Sequence, residues 1–114
     1  PKSPESEAIV SVTPRVAALR AFCERLAGAG LENSYEAAHA RLAVTYMATT
    51  CTRLEMVAAG KLPMLPPVSQ AAADRSYLDT IAKLCDGLEK VLDSYEKSDD
   101  LRKQQVYRLW RAGR

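Results

Sequence analysis

The sequence predicts an all-α protein, an antiparallel bundle of about four helices with a proline-rich crossover loop between the second and third. Aromatic residues make up only 6% of the chain, too few to supply strand after strand. Apolar residues instead recur at steps of three and four, which is the period of a helix buried on one side. Glycine, proline and capping residues separate these periodic stretches. A length of 114 residues fits one domain with a core of its own.

Residues 33–60 form the longest uninterrupted periodic stretch. One apolar row consists of Ala37, Ala40, Val44, Met47, Cys51, Leu54 and Ala58, and a second row beside it consists of Tyr35, Ala38, Leu42 and Tyr46. Asn33 is predicted to cap this helix, with Glu36 three positions on as in a capping box. Because one neighbour cannot cover both rows, we expect this helix to be the centre of the bundle.

The first long helix is predicted over residues 14–27. Thr13 precedes Pro14, and proline disfavours helical geometry in the residue before it, so a break or kink is expected at Thr13. Residues 1–13 would then be an N-terminal extension or short helix that starts at Ser3 and Pro4, and residues 14–114 the bundle domain. The inward row of the first helix is predicted to be Val16, Leu19, Cys23 and Leu26.

Residues 61–69 are the clearest linker, because three prolines oppose a helix there. Leu62, Met64 and Leu65 make it apolar, so it either packs across the bundle as a crossover or serves as a docking loop or ligand lid. A third helix is expected to begin at Ser69 or Ser76.

The last helix is predicted over about residues 99–111, with Ser98 as its cap. No glycine or proline separates it from the third helix. One continuous helix over residues 76–112 is therefore an alternative.

Residue types that carry chemistry are sparse. Cys23, Cys51 and Cys85 are each expected on the apolar side of a helix, as free thiols in an intracellular protein, cytoplasmic or nuclear. A zinc site that combines them with His39, the only histidine, is the alternative, but no two of these residues have the spacing typical of zinc ligands. No stretch reaches the roughly 20 apolar residues that a membrane span needs. We therefore expect no catalytic residues, no cofactor, no metal and no membrane span.

Charge is distributed unevenly along the chain. Residues 101–114 hold five basic residues and no acidic one, whereas residues 1–100 hold 11 basic and 14 acidic residues. Tyr107 and Trp110 lie among these basic residues, so the segment could contact phosphates while its rings stack. The simpler interpretation is that arginines complement the negative end of the helix dipole, and that Trp110 is a half-buried packing residue.

These observations favour a protein-interaction module of adaptor or scaffold type, which binds a partner peptide or helix, or a second copy of itself, through an apolar groove or its last helix. The residues predicted to contact a partner are Arg102, Lys103, Tyr107, Arg108, Trp110, Arg111, Leu62, Met64 and Leu65. The alternative is a nucleic-acid-binding domain that uses residues 101–114. A third hypothesis is an enzyme or small-ligand carrier with a pocket beneath residues 61–68.

Overall fold

A computed structural model describes residues 4–114, with side chains from residue 8 onward. Within this range the chain forms four α-helices and no strand, which confirms the all-α, four-helix prediction. They are α1 (Pro4–Gly28), α2 (Tyr35–Ala58), α3 (Pro67–Ser94) and α4 (Leu101–Arg111), with a 3₁₀ turn at Tyr95–Lys97. Short connections at residues 29–34 and 59–66 make successive long helices antiparallel.

The break predicted at Thr13 is wrong, because α1 continues through Pro14. Val12 and Val16 lie on either side of the proline and are both buried in the core, so packing favours a continuous helix through Pro14. The Thr13 hydroxyl donates a hydrogen bond to the Ile9 carbonyl at 2.7 Å. Ser3, the expected cap, lies outside the described residues. The domain division at residue 14 stays a prediction.

The helix α2 starts slightly later than predicted. Ser34, and not Asn33, is its cap, and the Ser34 hydroxyl accepts a hydrogen bond from the Ala37 amide at 3.2 Å. At the other end Gly60 adopts a φ of +74°, and the following amide of Lys61 donates to the Met56 carbonyl at 2.8 Å. This left-handed geometry explains why the helix stops where the glycine stands.

The central helix of the bundle is α1 and not α2, since α1 packs against α2, α3 and α4 and makes the most extensive contacts of the four helices. It contributes the large, fully buried side chains of Leu19, Phe22 and Leu26. The first apolar row of α2 is buried as predicted, except for Ala58, but its residues are mostly small.

The second row of α2 is uncovered, contrary to expectation. Tyr35 is 73% exposed and Leu42 is 76% exposed. The helix α1 packs closely against the row of small residues on α2. This contact covers only one side of α2, so the second row stays at the surface.

The helix α3 begins at Pro67, before both predicted caps. Proline at the first helical position has the right φ and lacks an amide that would be unpaired there anyway. The side-chain oxygen of Gln70 accepts a hydrogen bond from the Leu65 amide at 2.9 Å, which ties the loop to this first turn.

The helices α3 and α4 are separate, so the alternative of one continuous helix over residues 76–112 is wrong. Ser98 and Asp100 have extended backbone conformations between them. The Asp100 carboxylate accepts hydrogen bonds from the amides of Arg102 at 2.8 Å and Lys103 at 3.1 Å. Asp100, and not Ser98, is therefore the cap of α4, and the bonds from Lys103 and Arg102 lower the pKa of its carboxylate.

Candidate interaction surfaces

Trp110 lies inside the bundle, with only 1% of its surface exposed. Its ring meets the ring of Phe22 edge to face, with centroids 5.6 Å apart. Its indole N–H donates to an Asp93 carboxylate oxygen at 2.9 Å. A tryptophan with its ring packed and its N–H paired is a core residue, so the packing interpretation is the better one.

Three of the basic side chains in residues 101–114 have partners within the molecule. The Arg102 guanidinium lies 3.1 Å from a carboxylate oxygen of Glu36, whose side chain is only 5% exposed. The Lys103 ammonium lies 5.3 Å from the centroid of the Tyr95 ring. The Arg114 guanidinium covers the Trp110 ring at 4.6 Å and also contacts Asp93.

Arg108 and Arg111 remain available at this end of the molecule. Both are exposed, and neither forms a hydrogen bond or ion pair with a described residue. Tyr107 is half-buried, and its hydroxyl donates to a Glu96 carboxylate oxygen at 3.1 Å. The aromatic side chains of α4 are therefore engaged internally, and two arginines are left on a polar surface.

The apolar loop residues divide into two groups. Met64 and Leu65 are exposed and do not belong to the buried core. Leu62 is half-buried and lines the edge of a groove between α1 and α2.

This α1–α2 groove has a volume of about 720 Å³ and is open to solvent along its outer side. Five apolar residues line it: Ala27, Val44, Ala48, Met56 and Leu62. Thr45, Thr49 and Thr52 line it as well, all three exposed. Small residues along α2 leave this space, because Ala and Thr side chains are too short to fill the furrow beside α1.

Arginines border the groove. Arg20 on α1, and Arg41 and Arg53 on α2, all line it and are exposed. None of the three forms an ion pair or hydrogen bond with a described residue. Glu24 is the only acidic residue among the lining, so the groove carries an excess of positive charge.

Sequence reasoning did not find this groove. The three arginines lie far apart in a part of the chain that is acidic overall, and only the helix packing brings them together. Their positions relative to the apolar row of α2 were a usable signal. Arg41 and Thr45 lie beside Val44 on the helical surface. Because α1 covers only the row that contains Val44, both side chains stay exposed.

The three thiols differ in their surroundings. Cys51 and Cys85 are buried, as predicted, and the Cys85 thiol lies 3.6 Å from the Met47 sulfur. Cys23 is only half-buried and lines the α1–α2 groove, so its placement in the core was wrong. Partial burial raises the pKa of Cys23, although the nearby Arg41 acts in the opposite direction.

The described residues contain no cluster of three His, Cys, Asp or Glu side chains that could hold a metal ion. His39 is exposed and stacks on the Tyr35 ring, with centroids 6.0 Å apart. No helix in the same part of the chain is long and apolar enough to cross a membrane. What the described surface offers is a largely apolar groove bordered by three arginines that form no ion pair with a described residue.

Comparison with known proteins yields no matching family model, no matching curated protein and no matching solved structure.

Proposed function

We propose that this chain is a non-enzymatic protein-interaction module of adaptor or scaffold type, which binds the apolar face of a partner helix in the α1–α2 groove. The groove itself carries the proposal: it is about 720 Å³ in volume, open along one side and lined by alanine, valine, methionine and leucine. A furrow between two helices is where an amphipathic helix inserts anchors that lie three and four residues apart.

The lining favours a helix as the partner. Ala27, Ala48 and the three threonines are short, so a partner backbone can approach closely and insert its own larger side chains. Val44 and Met56 provide apolar surface for those side chains.

The C-terminal helix supports the nucleic-acid alternative less well. Stacking on bases needs exposed rings, and Trp110 is buried while the hydroxyl of Tyr107 is bound to Glu96. Arg102 and Arg114 are already in ion pairs. A protein partner in the groove therefore remains the function that the geometry supports best.

An intracellular setting belongs to this proposal. Cys23, Cys51 and Cys85 are all free thiols, and Cys23 lines the groove that the partner would fill. Free thiols persist in the reducing environment of the cytosol or nucleus.

The test uses a fluorescent model peptide of about 16 residues, with leucines at helical spacing and glutamines elsewhere, in an anisotropy titration. Thr49→Trp places a large ring in the groove from an exposed position. The matched control is Thr80→Trp, the same change at an exposed position on α3 outside the groove. We expect Thr49→Trp to abolish binding and Thr80→Trp to leave it unchanged.

Two results would overturn the proposal: no binding of the peptide at any concentration, or equal binding by the native protein and Thr49→Trp. Circular dichroism of both variants confirms that each retains its helices. Sedimentation of the native protein shows whether a second copy occupies the groove. A dimer that Thr49→Trp dissociates would replace the peptide partner with self-association.

A further inference from the structure

We infer that the segment which binds the α1–α2 groove is acidic, an amphipathic helix whose apolar residues are flanked by Asp or Glu side chains. This inference rests on the proposed function and adds the chemical class of the partner. It depends on the net positive charge of the groove and on the absence of any ion pair between the arginines of the groove and the described residues.

The positive charges stand on both walls. Arg20 projects from α1, and Arg41 and Arg53 project from α2. With Glu24 as the only acidic residue in the lining, the groove has a formal excess of two positive charges. A partner with basic flanks would meet repulsion from both walls, whereas carboxylates would find cations on each side.

These three arginines differ from others in the bundle. Arg15 contacts both Asp86 and Glu89, and Arg102 contacts Glu36. Arg20, Arg41 and Arg53 form no ion pair with any described residue, although they stand on the same helices or on neighbouring ones. Since no described carboxylate pairs with them, their charge is available to a ligand.

The spacing of the arginines along α2 indicates how long the partner helix must be. Arg41 and Arg53 are twelve residues apart on α2, a distance of about 18 Å along a helix axis. A partner helix that satisfies both would carry acidic residues about three turns apart, with its apolar anchors between them. Arg20, on the opposite wall, would contact a carboxylate on the other flank.

The lining argues against a nucleic-acid strand as the occupant. No aromatic side chain lines the groove, so bases would find no ring to stack on. Its apolar residues can pack against Leu, Ile or Phe side chains of a partner, but they cannot form hydrogen bonds or ion pairs with phosphate groups.

The experiment compares three fluorescent peptides that share one leucine pattern and carry Glu, Gln or Lys at the flanking positions. At low salt we expect the Glu peptide to bind the native chain about tenfold more tightly than the Gln peptide, because three exposed ion pairs add modest gains. The Lys peptide should bind more weakly than the Gln peptide. Added salt should reduce the difference, since it screens exposed charges.

The decisive variant is the double substitution Arg41→Glu and Arg53→Glu, which should reverse the order so that the Lys peptide binds best. Arg108→Glu with Arg111→Glu is the matched control, because it makes the same charge change at exposed, unpaired arginines outside the groove. The control should retain the preference for the Glu peptide. Both double variants change only exposed side chains, so both are expected to fold.

The outcomes separate the two proposals. If all three peptides bind equally and Thr49→Trp abolishes binding, the groove is a docking site but its partner is not acidic. If the control shifts the preference as much as the groove variant does, the effect is one of net charge and the inference fails. If a labelled single-stranded oligonucleotide binds the native chain more tightly than the Glu peptide does, competes with that peptide there, and does not bind the groove double variant, the occupant is a nucleic acid instead.

Discussion

The α1–α2 groove and the C-terminal helix both collect arginines, yet the molecule uses them in opposite ways. In residues 101–114, Arg102 and Arg114 are bound to Glu36 and Asp93, and the aromatic ring of Trp110 is inside the core. Around the groove, Arg20, Arg41 and Arg53 lie beside apolar surface and pair with no described residue. In the segment with the greatest excess of positive charge, three of the five basic side chains thus have partners within the bundle.

This difference shows that a cluster of charge along the sequence does not by itself identify a binding surface. A guanidinium with an internal carboxylate is partly neutralised, and a second partner must compete for it. A guanidinium without one keeps its full charge for a ligand. Substitutions in both regions, and the reactivity of the thiols, test this contrast between a structural C-terminal segment and an open groove.

The largest effect is expected for Trp110→Ala. This change removes a fully buried ring, its contact with Phe22 and its hydrogen bond to Asp93. We expect the free energy of unfolding to fall by about 3–5 kcal/mol, as for other large aromatic residues truncated in cores. Urea denaturation followed by circular dichroism measures the change.

Leu101→Ala is the control on the same helix, because Leu101 is 79% exposed. It should alter the free energy of unfolding by less than about 0.5 kcal/mol. If Trp110→Ala costs no more than this control, α4 is not part of the core, and its ring becomes available to a partner.

Arg102→Met is expected to lower the free energy of unfolding by about 1–2 kcal/mol. The Glu36 carboxylate is buried, and its second oxygen already accepts no hydrogen bond from a described residue. Without Arg102 the whole charge is left unpaired in a poorly hydrated site. The loss is smaller than for a deeply buried pair because the Arg102 side chain is half exposed.

A double-mutant cycle with Glu36→Gln separates the ion pair from packing. Glu36→Gln with Arg102→Met should be more stable than the two separate losses predict, because no unpaired charge remains. Additive losses would mean that Arg102 is held only loosely and could bind a phosphate instead. Arg108→Met, at an exposed and unpaired position, supplies the baseline.

The sequence was sufficient to predict the helices and most of the core, because period and capping are local signals. Leu78, Ile81, Leu88 and Leu92 repeat with helical spacing and are all buried. The errors arose where tertiary packing overrides a local preference. Pro14 reads as a helix break, but burial of Val12 and Val16 on both sides keeps α1 continuous.

The candidate site was less accessible to sequence reasoning. Whether Arg102 is free depends on Glu36, which lies on another helix 66 residues away in the chain. Whether Cys23 is buried depends on how closely α2 approaches α1. The α1–α2 groove exists because no other helix covers the space between α1 and α2. Neither the period nor the composition of α2 shows which side of that helix will be left without a neighbour.

The reactivity of the three thiols measures how accessible the α1–α2 groove is to solvent. Cys23 should react with iodoacetamide at least about tenfold faster than Cys51 and Cys85, which become accessible only when the structure opens. Because burial raises the pKa of Cys23, the rate should keep increasing as the pH rises above the range in which an unhindered thiol ionises. Mass spectrometry of digested protein measures each site.

The Gln-flanked peptide provides the control for this labelling. When it fills the groove, Cys23 should be protected, while the slow labelling of Cys51 and Cys85 should not change. Equal rates at all three thiols in the free protein would show that the α1–α2 face is closed or that the bundle opens as a whole.

The smallest effect, and the sharpest contrast, is expected from one substitution made at two arginines. Arg41→Gln should change the free energy of unfolding by less than about 0.5 kcal/mol, because Arg41 is exposed and has no partner among the described residues. Arg114→Gln should cost about 1 kcal/mol, because it removes both the contact with Asp93 and the cation over the Trp110 ring. Thermal unfolding of the two variants at the same salt concentration measures the difference. An equal loss at both positions would mean that Arg41 also helps to hold the bundle together, and the groove would then lose one of the free charges on which its selectivity depends.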